Sequence, residues 1–382
     1  MLFMEIRRIY ADHAATTPVT AHARDAMAPY LAMRFGNPSA LYRTGRNARQ
    51  ALEDARGEIA ASLGAATDEI FFTSCGTESD NWALKGLAAQ NPARRHIITT
   101  AVEHHAVLRA CDSLRRFGWE ITVLPVNGEG RVDPESVRQA LRDDTLLVSV
   151  MAANNEVGTI EPIAEIGQIC RAAGVPFHTD AVQAAGHLPL DLKTLPVDLL
   201  SLSGHKFGAP KGIGALYVRR GLKIAPLLDG GGQEHGLRAG TENVAGAVGM
   251  AVALADAVNS IPAETARLSR LRDRLIDALC ACGGVTLNGS ISSRLAGNIH
   301  VSVEGASGSR LLAALDRRGI AVSAGSACSA GNGAPSHVLA AMGVPPERTA
   351  CTLRLTLGAC TTAEDVASLC RIVPEEVAKA RK

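Results

Sequence analysis

Short apolar runs alternate with amphipathic stretches along the first two-thirds of the chain. From Arg43 to Ala65 the spacing is helical. Ala48, Leu52, Ala55, Ile59 and Leu63 recur every three or four residues, with Glu53, Asp54 and Glu58 between them. Residues 69–73 read as a strand, followed by a helix from about Thr77 to Ala89. Residues 96–100 read as a second strand, followed by a helix through Ala106, Leu108 and Leu114. A third strand spans 119–126. Asp133-Pro134-Glu135 marks a helix start, with Asp as N-cap and Pro in the first turn. An apolar strand covers 145–151, a helix runs from Ile163 to Ala173 and stops at Gly174, and further strands fall at 175–179, 197–203 and 214–219. This alternation predicts an α/β fold with a mainly parallel sheet covered on both faces. In such sheets ligands gather beyond the carboxyl ends of the strands. After Gly230-Gly231-Gly232 the pattern changes to a long helical region reaching about Cys282, then strand, helix, strand and helix. A second domain is therefore expected from about residue 256.

Composition narrows the class. The 382 residues are too many for one small core, and 47% hydrophobic with 20% charged is the balance of a folded globular chain. Lys plus Arg is 39 against 38 for Asp plus Glu, so there is no basic footprint for nucleic acid and no polybasic arm for a membrane. Aromatics are only 3%, too few for a base-stacking platform. The longest apolar candidate, Val244 to Ala255, stops at Asp256 and reads as a buried helix, not a membrane span. Glu5, Arg7 and Arg8 stand where an export signal needs its apolar region. The nine cysteines are odd in number and scattered, with no CxxC pair, so neither a zinc site nor a disulfide framework is expected. A reducing cytoplasm is the expected location.

Five polar clusters follow the expected strands. Thr73 to Ser79 is a strand-to-helix turn that serves either as an anion site or as a capping box with Ser74 or Thr77 as cap. Glu103-His104-His105 offers two histidines, but neighbours on a helix do not face the same way, so one of them is expected to stack on a ring or move a proton. Asn154-Asn155-Glu156 supplies turn residues or ligand hydrogen bonds. Asp180, closing an apolar strand, is either a helix cap or the partner of a protonated ring nitrogen. Lys206 closes another. In a desolvated setting it becomes a Schiff-base nucleophile, and in a loop it is simply solvated. Gly208 to Gly212 is glycine-rich but lacks the spacing of a nucleotide P-loop. Together the clusters offer a phosphate cup, a stacking histidine, an acid and an amine, the set that pyridoxal phosphate needs.

The motifs DHAATTP (Asp12 to Pro18), FGNPSALY (Phe35 to Tyr42), FTSCGTESDN (Phe72 to Asn81), EHHAVL (Glu103 to Leu108), ANNEVGT (Ala153 to Thr159), HTDAVQA (His178 to Ala184), SGHKFGAPKGIGALYVRRG (Ser203 to Gly221), GGGQEHGLRAGTEN (Gly230 to Asn243) and SAGSACSAG (Ser323 to Gly331) occur in that order. Over nearly its whole length the chain resembles the cysteine desulfurases of the NifS/IscS branch, within fold type I of the pyridoxal-phosphate enzymes. The SCGTESD wording is closer to the nitrogen-fixation type. The resemblance implies a large domain at 16–255 with a seven-stranded, mainly parallel sheet. It implies a smaller α+β domain from 1–15 and 256–382, carrying a mobile cysteine loop at about 323–336. It places Lys206 on the Schiff-base lysine, Asp180 on the partner of the pyridinium nitrogen and His104 on the histidine that stacks on the ring. Gln183 and Asn155 match residues that bond the cofactor's phenolic oxygen, with Asn155 also near the substrate. Gly76, Thr77, Ser203 and His205 match the phosphate cup. Thr241 matches a phosphate contact given by the neighbouring subunit, which makes the expected unit a homodimer.

Cys328 lies among small residues and glycines, where nothing nearby in sequence could bury it. It matches the family's persulfide-forming nucleophile. Arg354 alternates with apolar residues in Thr352 to Thr356, so it points opposite to them on a strand, either exposed or, as the resemblance implies, clamping the α-carboxylate of L-cysteine. The implied reaction takes sulfur from L-cysteine, leaves L-alanine and passes a Cys328 persulfide to an iron–sulfur scaffold or other acceptor, with nitrogenase assembly one destination. Several positions depart from the family pattern: His13 for Asn, His235 and Leu237 for basic residues, and Ala359 for Arg. The sequence stops at Lys382, short of the tail that many relatives use near scaffolds. Two rival readings are a selenocysteine lyase-like enzyme on the same fold and a non-catalytic assembly partner. The long Cys328 loop argues against the first, and intact Lys206, Asp180, His104, Cys328 and Arg354 argue against the second.

Overall fold

The computed structural model describes residues 8–324 and 336–381. Cys328 and most of the expected cysteine loop lie outside them. In chain order the main elements are β1 (Ile9–Tyr10), α1 (Ala21–Ala32), α2 (Arg43–Leu63), β2 (Ile70–Thr73), α3 (Gly76–Gln90), β3 (His96–Thr100), α4 (His105–Arg116), β4 (Glu120–Leu124), α5 (Pro134–Ala140), β5 (Thr145–Ser149), α6 (Ile163–Ala172), β6 (Phe177–Asp180), β7 (Leu199–Ser203) and β8 (Gly214–Val218). They continue with α7 (Val244–Cys280), β9 (Val285–Leu287), β10 (Asn298–Val303), α8 (Gly308–Arg317), β11 (Ile320–Ala321), α9 (His337–Ala341), α10 (Pro346–Thr349), β12 (Thr352–Thr356) and α11 (Ala363–Ala380).

Local chemistry sets the boundaries. The apolar stripe of α2 ends where Gly64 turns left-handed at φ 68°, a conformation glycine adopts without steric cost. Asp133 caps α5 by accepting the Glu135 amide, and Pro134 opens the helix. The seven-stranded sheet has the order β2-β8-β7-β6-β5-β3-β4. All its pairings are parallel except those of β8, which is antiparallel to both neighbours. β2 and β7 therefore run the same way, and their carboxyl ends open on the same edge as those of β3, β5 and β6.

A smaller antiparallel sheet, β12-β10-β9, packs with α8 and α11 around its own apolar core. Ile9 and Ala11 join that core, as do Leu268, Leu275 and Leu279 from the second half of α7. The first half of α7 belongs to the larger core through Ala247, Met250, Ala251, Ala253 and Leu254. No loop separates residues 255 and 256, because α7 runs through both. By length and composition α7 would also suffice to cross a membrane, although no uninterrupted apolar run reaches that length. In this fold it packs on α1 and α2.

Candidate active site

Strand ends deliver the polar residues to one place. β6 terminates in Asp180, and β7 terminates in Ser203, followed by the 3-10 turn Gly204–Lys206. α3 opens at Gly76 directly after β2, and His104 is the N-cap of α4 after β3. From the smaller sheet, β12 contributes Arg354. A cavity of about 280 Å³ is lined by Gly76, Thr77, His104, Asn155, Asp180, Gln183, Ser203, His205, Lys206 and Arg354, with Asp80, His105, Glu156 and His337 beside them.

The floor is acidic and dry. Asp180 is 5% exposed, and its Oδ1 accepts the Val182 amide at 2.9 Å. Burial pushes its carboxyl up, against the pull of His104, the Val182 amide and Lys206. His104 Nδ1 accepts the Ala106 amide at 3.2 Å, which leaves the proton of the neutral ring on Nε2. Burial lowers the His104 pKa, so the neutral ring is the resting form. Lys206 Nζ donates to the carbonyls of Ala14 at 2.6 Å and Ala15 at 2.9 Å, and Gln183 Nε2 donates to Ala14 at 3.0 Å. The segment before α1 is thereby tied to the lysine turn.

One end of the cavity is built for an anion. The first-turn amides of α3 have no acceptor inside their own helix, and the Thr77 side chain stands beside them. A Cβ on Gly76 would come within 2.5 Å of Val182 Cγ2 and 3.3 Å of Ser203 Cβ, so only glycine allows this close approach. His205 Nδ1 lies 3.1 Å from Thr16 Oγ1, and burial beside Lys206 and Lys211 holds the ring near pKa 4.

The rim is a buried cation. Arg354 is 2% exposed, donating from Nη1 to the Asn155 carbonyl at 3.0 Å and from Nη2 to Asp12 Oδ1 at 2.8 Å. Its Nε is buried without a hydrogen-bond partner among the described residues, so one donor is left unsatisfied. Next to it Ser336 donates to Glu156, whose carboxyl is raised by burial. The rings of His105 and His337 lie 4.6 Å apart.

Over residues 9–369 the sequence matches the aminotransferase class-V family. The chain belongs to that family. It is 51% identical over 378 residues to a protein of Methanosarcina thermophila named cysteine desulfurase IscS, covering 99% of this chain and 94% of that one. It is 48% identical over 382 residues to an IscS-like cysteine desulfurase of Mycobacterium tuberculosis, covering 98% and 97%. A solved structure described as a NifS-like protein superposes with a TM-score of 0.93 at 38% identity, over 98% of this chain and 100% of the other.

Class-V enzymes use pyridoxal phosphate, and the cavity fits it. The anion end at Gly76 suits a phosphate, Asp180 suits a ring nitrogen, and Lys206 brings an amine to the same space. Arg354 adds a buried cation with one unsatisfied donor, which suits a carboxylate.

Two expected residues are not placed in this cavity. Thr241 is exposed and does not line this chain's cavity. Cys328 lies outside the described residues. Neither Ser74 nor Thr77 caps α3: the cap position is Cys75, without a side-chain bond, while Glu78 accepts the Ser74 amide. The expectation that adjacent histidines diverge also fails. His104 is a cap in extended conformation and His105 is the first helical residue, so both reach the cavity. Arg354 is buried, so the exposed reading fails. Sequence reasoning missed Asp80 and His337, and named His105 and Glu156 only as members of their clusters. Asp80 lies four residues after Gly76, one turn along the same helix, a spacing that points to the cavity only once Gly76 is known to face it. The departures His13 and Ala359 line a different hollow, where a Cβ on neighbouring Gly358 would lie 2.4 Å from His13 Nδ1.

Proposed function

We propose that the protein is a pyridoxal-phosphate-dependent cysteine desulfurase that takes sulfur from L-cysteine and delivers it as a Cys328 persulfide to acceptors of iron–sulfur assembly. The observation that carries this reading is the convergence of Lys206, Asp180 and Arg354 on one cavity. Residues 16–255 hold the cofactor in this reading, and 1–15 with 256–382 form the smaller domain. Gly76, Thr77, Ser203 and His205 would hold the phosphate, Asp180 the pyridine nitrogen, His104 the ring face, Gln183 and Asn155 the phenolic oxygen, and Lys206 the aldehyde. When bound, the cofactor supplies an aldehyde that captures the substrate amine and a ring that takes up electrons from Cα.

The chain's own residues do the rest. Arg354 binds the α-carboxylate and fixes the amino acid's orientation. Lys206 Nζ takes the Cα proton, and neutral His104 moves a proton at its Nε2. The Cys328 thiolate attacks the substrate sulfur. An S–S bond forms as the Cβ–S bond breaks, and its electron pair and a proton go to Cβ, so that alanine leaves.

A homodimer completes the site in this reading, with Thr241 reaching the partner's phosphate cup. Leu31, Met33, Phe35, Leu41 and Tyr42 are all more than 60% exposed around the end of α1 and the start of α2. Val244, at the start of α7 and three residues after Thr241, packs on Ala48 and Ala51 of α2. The apolar surface and Thr241 are thus on neighbouring elements, as a shared interface requires. The cytoplasm and a nitrogenase-directed role are part of the same reading. The deciding experiment is the visible spectrum of the purified protein with L-cysteine, with sulfide release measured beside Cys328→Ala. A cofactor band perturbed by cysteine in both proteins, with sulfide from the wild type alone, is expected. A protein that pyridoxal phosphate cannot reconstitute would overturn the reading.

A further inference from the structure

One buried acid in the cavity is unused by the reaction. Asp80 sits one turn into α3, is 1% exposed, and lines the same space as Asp180. One side-chain atom each of Asp80, His104 and Asp180 lies within 4.8 Å of the others. Asp80 Oδ1 has no hydrogen-bond partner among the described residues. Behind it stands a neutral relay. His178 Nδ1 is 2.8 Å from Ser149 Oγ, its Nε2 is 3.0 Å from Ser201 Oγ, and the same Nε2 is 3.6 Å from Asp80 Oδ1.

We propose that Asp80 is the positioning residue that keeps Asp180 an anion: the two carboxyls share a single negative charge, it resides on Asp180, and Asp80 is the neutral partner. The inference rests on the pyridoxal-phosphate reading of the cavity. Two carboxylates this close in a dry pocket do not both ionise, and their protons belong to the pair. The surroundings decide which one keeps the charge. Asp180 faces His104 and Lys206 and accepts the Val182 amide. The groups that face Asp80 are Asp180, His104, Glu103, Cys75, His178 and the Ser201 hydroxyl. None of these is a cation, since burial holds His178 neutral, near pKa 3, and lowers His104, so Lys206 and the Val182 amide are what set Asp180 apart. Asp80 therefore takes the proton, burial being the largest cause and the Asp180 charge the next. A neutral carboxyl is also a donor. It can steady the Asp180 anion without competing for the ring nitrogen that Asp180 is placed to meet.

The test uses apoprotein of the wild type, Asp80→Asn, Asp80→Ala and Asp180→Asn. Pyridoxal phosphate is titrated into each, and the pH midpoint of the bound cofactor's visible band is then followed. Asp80→Ala is expected to weaken cofactor binding about tenfold and to move the midpoint by about one unit, the equivalent of one charge-assisted hydrogen bond. Asp80→Asn keeps a neutral donor and is expected to restore both to within about threefold and a few tenths of a unit. Circular dichroism of the apoproteins shows whether each variant is folded, and the rescue by Asn separates positioning from packing. If Asp80→Asn is as damaging as Asp180→Asn, Asp80 carries the charge and the proposal is wrong. It is equally wrong if Asp80→Ala leaves affinity and midpoint unchanged. A wild type that binds no pyridoxal phosphate overturns both this inference and the function it rests on.

Discussion

The floor and the rim of the cavity handle charge in opposite ways. At the floor Asp80 and Asp180, with Glu103 near enough to act on Asp80, lie beside histidines that burial keeps neutral, so protons decide which acid is charged. At the rim a fixed guanidinium is already paired with Asp12 and the Asn155 carbonyl. A proton-balanced floor suits a ring that brings its own titratable nitrogen. A permanent cation with one unsatisfied donor suits a carboxylate that arrives and leaves on every turnover. Both ends are buried, so the difference lies in which ionisable groups were placed there.

The comparison can be broken from either end. Lys206→Ala removes the only lysine that lines the cavity among the described residues, and desulfurase turnover should fall by about three to four orders of magnitude with loss of the cofactor band. Asp180→Asn should cost about two to three orders of magnitude in kcat, because the ring nitrogen loses its anionic partner. A loss confined to KM would place Asp180 at the wrong end. Arg354→Lys keeps a positive charge but not the fork, so kcat/KM for L-cysteine should drop about a hundredfold, mostly through KM. An unchanged KM would mean that the rim does not hold the carboxylate. Asp12→Asn should raise KM about tenfold, since it loosens Arg354 without removing it.

The smallest effect is on stability. Burial raises the Glu103 carboxyl well above its usual range, although the Thr100 hydroxyl and the Met151 amide bond to it. A group whose pKa is raised on folding contributes its stability fully below its unfolded value, near 4.5. That contribution is lost as pH rises toward the folded value. Glu103→Gln should therefore flatten the fall in urea-unfolding free energy above pH 4.5. Parallel curves for variant and wild type would contradict the assignment.

Much of the floor was legible in the sequence because most of its residues close a strand or open a helix. Asp180 and Lys206 follow strands whose apolar character is visible, and the strand at 96–100 falls where β3 does. Gly76 and His104 sit at helix starts marked by the change in hydrophobic period. The rim was less legible. Arg354 is brought to Asp12 by the packing of β12 beside the first residues, and no local pattern encodes a pairing across 342 positions. Asp80 was hidden for another reason. A helical acid reads as solvent-facing until the sheet beneath it is known. The single polar pattern at His104 and His105 misled because a cap residue does not obey helical spacing.

The union of Asp12 with Arg354 also sets a timetable. Thr356 donates its amide to the Ala11 carbonyl, and its hydroxyl accepts the Ala14 amide, so the segment that receives Lys206 Nζ is moored to a strand made near the end of synthesis. At roughly 5–20 residues per second, a ribosome needs on the order of 20–70 s to travel from the one partner to the other. The nascent chain can build its large sheet early, but the amine and the guanidinium cannot be fixed in register until translation is almost over. A truncated product would keep most of the floor and lack the rim, which separates a chain that has folded from one that is ready to react.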